Sequence, residues 1–377
     1  MRLRVANGGI VAGRAVLPAA TIHVEDGRIA DIAPDASGAP DIDLGGGWLV
    51  PGFIDTQVNG GGGVLFNDSI TVEAIAAIGA AHARFGTTAF LPTLISDSPE
   101  RIAAALDAAD AAIAAGVPGV VGVHIEGPFI NEARRGIHEA DRIRPIDAGL
   151  AALLSRPRAG RVLLTVAPEI VGTEAIRALA GAGVLVSAGH SNATYEETKA
   201  AIAAGMTGFT HLFNAMSPLT HRAPGMVGAA LDSAGTWCGL IVDNAHLHPA
   251  TVRIAIKAKG LDRIMLVTDA MPSVGTDSDA FELQGKRIEV RDGVCTYADG
   301  TLAGSDLDMA TAFRNTAAIT GLPPADIVRM SSESAAAFLG LSATHGTLAA
   351  GRRADWVVLD AGLKPRETWI GGKPWPI

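Results

Sequence analysis

The chain has 377 residues, 48% of them hydrophobic and 18% charged, which excludes a disordered polymer and allows a large domain with a satellite or two ordinary domains. A formal net charge of -9 disfavours nucleic acid or an anionic membrane surface as the main partner, while saying little about a small anion in a local pocket. Only two cysteines, Cys238 and Cys295, and no long apolar run at residues 1–5 make a reducing cytoplasm the expected compartment.

The first elements expected are short alternating strands between Leu3 and Ile32, turning at Asp26-Gly27. Apolar runs rich in Val, Ile, Leu and Thr then recur at 48–55, 87–95, 117–125, 162–167, 184–188, 208–212, 237–242 and 264–268. Ala-rich stretches of helical length separate most of them, at 71–85, 99–116, 174–183 and 195–205. None reads as a membrane span; the stretch at 102–117, for example, is interrupted by Asp107 and Asp110. Continuous apolar strands alternating with amphipathic helices indicate parallel βαβ units. Eight in succession predict an α/β fold built as a closed (β/α)8 TIM-type barrel rather than an open sheet. After the eighth run, 287–290 and 294–297 flank Asp292-Gly293 and predict a β-hairpin insertion near 286–298. A last strand is expected at 354–360. Residues 1–50 and 344–377 are therefore expected to form a small β-rich domain, with the barrel at 51–343.

Polar residues stand at the C-terminal ends of these runs: Gln57 and Asn59, His124 and Glu126, Glu169, His190, His211, Asp243 and His246, and Asp269. In a barrel those ends converge on one face, where active sites are built. Glu126, His190 and His211 are two imidazoles and a carboxylate, a set that holds a catalytic divalent ion and leaves a coordination position open. A lone histidine is usually structural; three candidate ligands at equivalent places in a repeating pattern are not lone. Asp269 closes the eighth run and reads as the general acid/base, or failing that as the cap of the following segment. Gln57 and Asn59, two apart on one strand, face the same side. Histidines there would add ligands, but neutral amides are poor ones, so a single ion per subunit is expected, with the amides orienting water or substrate.

Taken together, the motifs Pro51-Gly52-Phe53-Ile54-Asp55-Thr56-Gln57-Val58-Asn59-Gly60, His124-Ile125-Glu126-Gly127-Pro128-Phe129, Ala188-Gly189-His190-Ser191-Asn192-Ala193, Thr210-His211-Leu212-Phe213-Asn214-Ala215-Met216, Leu266-Val267-Thr268-Asp269-Ala270 and Gly300-Thr301-Leu302-Ala303-Gly304-Ser305 span nearly the whole chain. With these the chain resembles the amidohydrolase superfamily and, within it, the N-acetylglucosamine-6-phosphate deacetylase family. The resemblance implies metal-dependent hydrolysis of the acetamide of N-acetyl-D-glucosamine 6-phosphate, giving D-glucosamine 6-phosphate and acetate. It places the metal ligands at Glu126, His190 and His211, the acid/base at Asp269, and a carbonyl-polarising group at His138, in Gly136-Ile137-His138. Substrate contacts would come from Ile137, His138, Asn214, Ala215, Arg222, His246, Leu302, Ala303 and Gly304, with Asn214, Ala215, Arg222 and His246 around the phosphate. A homodimer is implied, in which Arg222 could serve the neighbouring subunit's site.

The chain departs from the family where some members carry His-x-His, here Gln57 and Asn59, and where Asn244 replaces a glycine after Asp243. The donor set suits Zn²⁺ first, with Fe²⁺, Mn²⁺ or Co²⁺ as alternatives. Rival readings are an N-acetylgalactosamine-6-phosphate deacetylase, a cyclic amidase lacking its usual lysine, and a barrel that only binds a sugar phosphate. His124 is expected to support the site from behind or to belong to the core, and His23, His82, His221, His248 and His345 to be structural.

Overall fold

The computed structural model describes residues 1–34 and 37–376; residues 35, 36 and 377, part of the stretches assigned to the small β domain, lie outside the described residues. Eight parallel strands form one sheet in chain order: Phe53–Val58, Thr87–Ile95, Gly122–Glu126, Arg161–Val166, Leu185–Ala188, Gly208–Phe209, Trp237–Leu240 and Ile264–Leu266. A parallel bridge between Val58 and Ala270 closes the eighth strand onto the first, so the sheet is the expected (β/α)8 barrel. Every residue of Phe53–Val58 and Thr87–Ile95 is buried, because helices cover the outside while side chains fill the interior.

The helices start where their caps dictate. Ser98 accepts the Arg101 N–H ahead of Pro99–Ala114, and Thr194 with Glu197 forms a reciprocal capping box for Tyr195–Ala203. Their alanine faces allow close approach to the barrel, burying Ala105, Ala109 and Ala112 in the main core.

The run read as one strand at 48–55 divides at Gly52. Trp48–Pro51 pairs with Arg2–Ala12 and Trp356–Leu359, whereas Phe53–Val58 enters the barrel. A Cβ at position 52 would sit 2.0 Å from the Thr88 hydroxyl, so only glycine lets the chain pass from one sheet to the other. The second sheet joins strands from both ends of the chain, in the order Lys373–Pro374, Pro365–Ile370, Trp356–Leu359, Trp48–Pro51, Arg2–Ala12, Ala15–Glu25, Arg28–Pro34. The Asp26-Gly27 turn has both residues in the left-handed region that a two-residue hairpin requires.

The insertion is larger than a hairpin. Ala280–Leu283, Lys286–Arg291, Val294–Thr296 and Leu302–Ser305 form a four-stranded antiparallel sheet around its own apolar cluster of Leu283, Ile288, Cys295 and Ala303. Its last strand hydrogen-bonds back to the barrel rim through Ser305 N–H and the Asp269 carbonyl, 2.9 Å apart. Among the described residues no helix is long and apolar enough to cross a membrane.

Phe53 stacks on Phe313 at 5.4 Å and joins the first barrel strand to the helix Met309–Thr320. Phe53→Ala should cost about 3–5 kcal/mol, read as a lowered denaturation midpoint. A loss below about 1 kcal/mol would mean that this end of the barrel collapses around the gap.

Candidate active site

The strand ends meet as expected at one mouth. His190, His211 and Asp269 all have left-handed backbone, with φ of 49°, 31° and 54°, and Ala215 and Asn244 follow at 50° and 66°. Non-glycine residues resist this region by about 1–2 kcal/mol each, so the surrounding fold holds them there. The effect is to turn each strand sharply at its end, presenting the side chain over the opening.

Glu126 Oε1 lies 3.1 Å from His211 Nε2 and 3.3 Å from His190 Nε2, and the two imidazole nitrogens are 3.0 Å apart. All three side chains are buried. His190 Nδ1 lies 2.8 Å from the Arg134 carbonyl, which can only accept, so the proton is on Nδ1 and Nε2 presents a lone pair. That lone pair faces a carboxylate oxygen, and two acceptors so close repel unless a cation or proton lies between them. A tetrahedral ion with bonds of about 2.0–2.2 Å spaces its ligands by roughly 3.3–3.6 Å, which this triangle approaches. The residues therefore fit a divalent ion.

His138 also brings a ligand-type atom within 4.8 Å of those of Glu126 and His190. Its chemistry is different. Nδ1 accepts the Ser96 N–H at 3.3 Å and meets the Ser96 hydroxyl at 2.7 Å, so the proton sits on Nε2. Burial and the neighbouring His190 push the imidazole's pKa down to about 3, and it stays neutral. His138 is thus a hydrogen-bond donor toward the site, and the tighter triangle with His211 is the better ligand set.

Burial alone would raise Glu126, but the imidazoles of His190 and His211 packed against it hold its carboxyl well below the ordinary range. Burial would lower His211, but the bond to Glu126 and the Glu126 and Asp269 charges raise it.

Asp269 Oδ1 accepts from Asn59 Nδ2 at 2.7 Å and from Gln57 Nε2 at 3.0 Å, leaving its other oxygen to the pocket. The same Gln57 nitrogen donates to Glu126 at 3.1 Å, so one amide bridges both carboxylates. With the protein's own groups alone, burial and the Glu126 charge push Asp269 up to about 6, and a nearby cation would oppose that shift. Below, burial raises Asp55 to about 7 although Thr268 donates to it at 2.5 Å.

A cavity of about 240 Å³ opens over the triangle, lined among others by Glu126, Ile137, His190, His211, Asn214, Ala215, His246, Asp269, Leu302 and Gly304. Three expected residues stand elsewhere. Ala303 is fully buried and packs in the inserted sheet's core, because its strand alternates sides between Leu302 and Gly304. His138 lies behind Ile137, lining an adjoining hollow. Arg222 is exposed and outside the lining, on a loop whose Leu219 is 53% exposed.

One partnership and two lining residues went unread in the sequence. Asp243 binds His246 Nδ1 at 2.6 Å and accepts the His246 and Ala245 N–H groups; burial would raise it, but these bonds hold it below its ordinary value. Thr301 and Gly136 line the pocket through their loops alone. The Thr301-Leu302 motif and the Asp243–His246 spacing would have been the places to look. His124 lies inside the barrel between Thr165 at 2.7 Å and Thr93 at 3.2 Å, and burial lowers it to about 4. His82 meets the Gly60 carbonyl, and His248 caps Pro249–Lys259.

The amidohydrolase family profile matches residues 48–375. The chain is 44% identical to an N-acetylgalactosamine-6-phosphate deacetylase of Shewanella sp., over 93% of this chain and 90% of that protein. It is 36% identical to the N-acetylglucosamine-6-phosphate deacetylase of Haemophilus influenzae, covering 89% of each. The crystal structure of the Pasteurella multocida N-acetylglucosamine-6-phosphate deacetylase superposes with a TM-score of 0.94 at 33% identity, over 99% of both chains. A Mycobacterium smegmatis variant in complex with N-acetyl-D-glucosamine 6-phosphate superposes at 0.92 and 33% identity, over the whole of both chains.

Proposed function

Because the chain belongs to the amidohydrolase family, we propose that it hydrolyses the acetamide of N-acetyl-D-glucosamine 6-phosphate to D-glucosamine 6-phosphate and acetate. The observation that carries this is the triangle of Glu126, His190 and His211 with Asp269 beside it and a proton on His138 Nε2 behind. A divalent cation held by Glu126, His190 and His211 would supply the positive field that activates water and polarises the amide carbonyl. His138 Nε2–H donates to the carbonyl oxygen as negative charge develops there. The Asp269 oxygen that carries no hydrogen bond takes the proton of the attacking water and returns it to the sugar nitrogen, so a C–O bond forms as the C–N bond breaks. Asn59 and Gln57, both on Oδ1, hold the other oxygen in place.

The sugar then lies over Leu302 and Gly304, with the phosphate toward Asn214, Ala215 and His246. No lysine or arginine lines that pocket among the described residues, while a phosphate dianion calls for one. Exposed Arg222 meets that need if a second copy of the chain presents it, which supports the homodimer. The galactosamine epimer is the second reading, favoured by the name of the 44% identical relative.

Acetate release should be measured on the N-acetylglucosamine and N-acetylgalactosamine 6-phosphates and on their unphosphorylated forms. Only phosphorylated sugars should be turned over well, and Arg222→Ala should lower their kcat/KM by about 100-fold, with little effect on the free sugars. Equal losses on both would remove Arg222 from the phosphate.

Elemental analysis of protein loaded with excess Zn²⁺ and desalted should give about one equivalent per chain. Two equivalents, with one lost in Gln57→Ala, would show the amides to be ligands.

Asp269→Asn keeps shape and removes the basic oxygen. Hydrolysis should fall by about 10²–10⁴-fold, with metal content and substrate affinity near wild type. A variant that loses its metal would make Asp269 a ligand, and one that keeps its activity would place the base elsewhere.

A further inference from the structure

Beside the catalytic pocket lies a larger hollow of about 560 Å³, lined by Arg135, His138, Lys286, Arg287, Tyr297 and Asp299 among others. Gly136, Ile137 and Thr301 line both spaces, so a thin wall of loop separates them. The hollow is electropositive, with three cations against one carboxylate in a chain whose net charge is -9. The carboxylate is already engaged, since Asp299 accepts the Thr301 N–H at 2.9 Å. Lys286 and Arg287 are exposed, with the Lys286 ammonium 5.5 Å from the centre of the Tyr297 ring. The buried Tyr297 hydroxyl has no hydrogen-bond partner among the described residues.

The position of this hollow follows from the amide itself. The sugar side of the substrate extends toward Asn214, Ala215 and His246, which line the other pocket. A secondary amide is trans, so its acyl substituent points away from the sugar ring. His138, which faces the carbonyl, lines the second hollow and not the first. With His138 meeting the carbonyl oxygen as proposed, the acyl group is placed on the side of Ile137 and Thr301, which line both spaces.

We propose that this hollow is an acyl-side subsite that takes N-acyl groups longer than acetyl, favouring chains that end in a carboxylate. It rests on the deacetylase reading, and the reaction is unchanged. Water adds its oxygen to the acyl carbon, the C–N bond breaks, the nitrogen gains the proton that Asp269 took from the water, and a dicarboxylate leaves in place of acetate.

The test compares glucosamine 6-phosphate carrying N-acetyl, N-succinyl and N-succinamoyl groups, the last being the uncharged isostere of succinyl. The succinyl compound should reach a kcat/KM within about tenfold of acetyl and exceed the succinamoyl compound by about tenfold or more, the scale of a charge-assisted contact. Lys286→Ala with Arg287→Ala, both exposed, should abolish that preference and leave acetyl hydrolysis unchanged. Turnover of acetyl alone, equal rates for succinyl and succinamoyl, or equal losses on all three in the double variant would overturn the subsite. An enzyme that leaves even the acetyl compound intact would overturn the deacetylase reading, and the subsite with it.

Discussion

The site depends on the seam where the eighth barrel strand meets the first. Asp269 N–H binds the Gln57 carbonyl at 3.0 Å, and the Asn59 and Gly60 N–H groups both reach the Ala270 carbonyl at 2.9 Å. Those backbone bonds bring residues more than 200 positions apart into register, and the side chains follow. Gln57 and Asn59 face inward two residues apart, and both find Asp269. Beneath them Asp55 accepts from Thr268 across the same seam, so a buried polar pair pins the register one layer down. A slip of one residue would turn the amides outward and leave Asp269 without support.

Around that seam the protein concentrates negative charge where it is costly to bury. Glu126 and Asp269 share a single amide nitrogen, and Glu126 is further held by two imidazoles. Each group's environment follows from its partners. Glu126, packed against two imidazoles, is held well below the ordinary carboxylate range, whereas burial and the Glu126 charge push Asp269 up to about 6. Two carboxylates with separated tendencies suit two tasks, one holding a cation and the other exchanging protons. The neutral amides of Gln57 and Asn59 bond to Asp269 without adding a charge of their own, and Gln57 also bonds to Glu126.

The mouth is asymmetric. On the side of Asn214, Ala215 and His246 the pocket is polar but holds no lysine or arginine among the described residues. On the side of the inserted sheet, Arg135, Lys286 and Arg287 surround a roomier space. The insertion thus shapes the site as well as capping the barrel, since its last strand supplies Leu302 and Gly304 and its loops supply Thr301. Left-handed backbone at His190, His211 and Asp269 shows the same priority: local conformational preference gives way to the direction in which a side chain must point.

The barrel, the order of its strands and the strand-end position of Glu126, His190, His211 and Asp269 were legible in the sequence, because hydrophobic period and strand-end polarity are local patterns. The same locality explains what stayed hidden. The split of 48–55 at Gly52 depends on Thr88, thirty-six residues away, and the four-stranded insertion depends on 280–283 and 302–305 finding a hairpin between them. The proton on His138 Nε2 is set by Ser96, and that on His190 Nδ1 by a backbone carbonyl, a group every residue carries and no residue type reveals. Arg222 matched a motif but stands outside its own chain's pocket, and Ala303 matched one but faces a core. The sequence by itself determined which chemical groups stand at the ends of the strands. Only the tertiary structure decided their protons, their partners and the side from which each is reached, because those depend on distances between residues that the chain brings together only by closing the barrel.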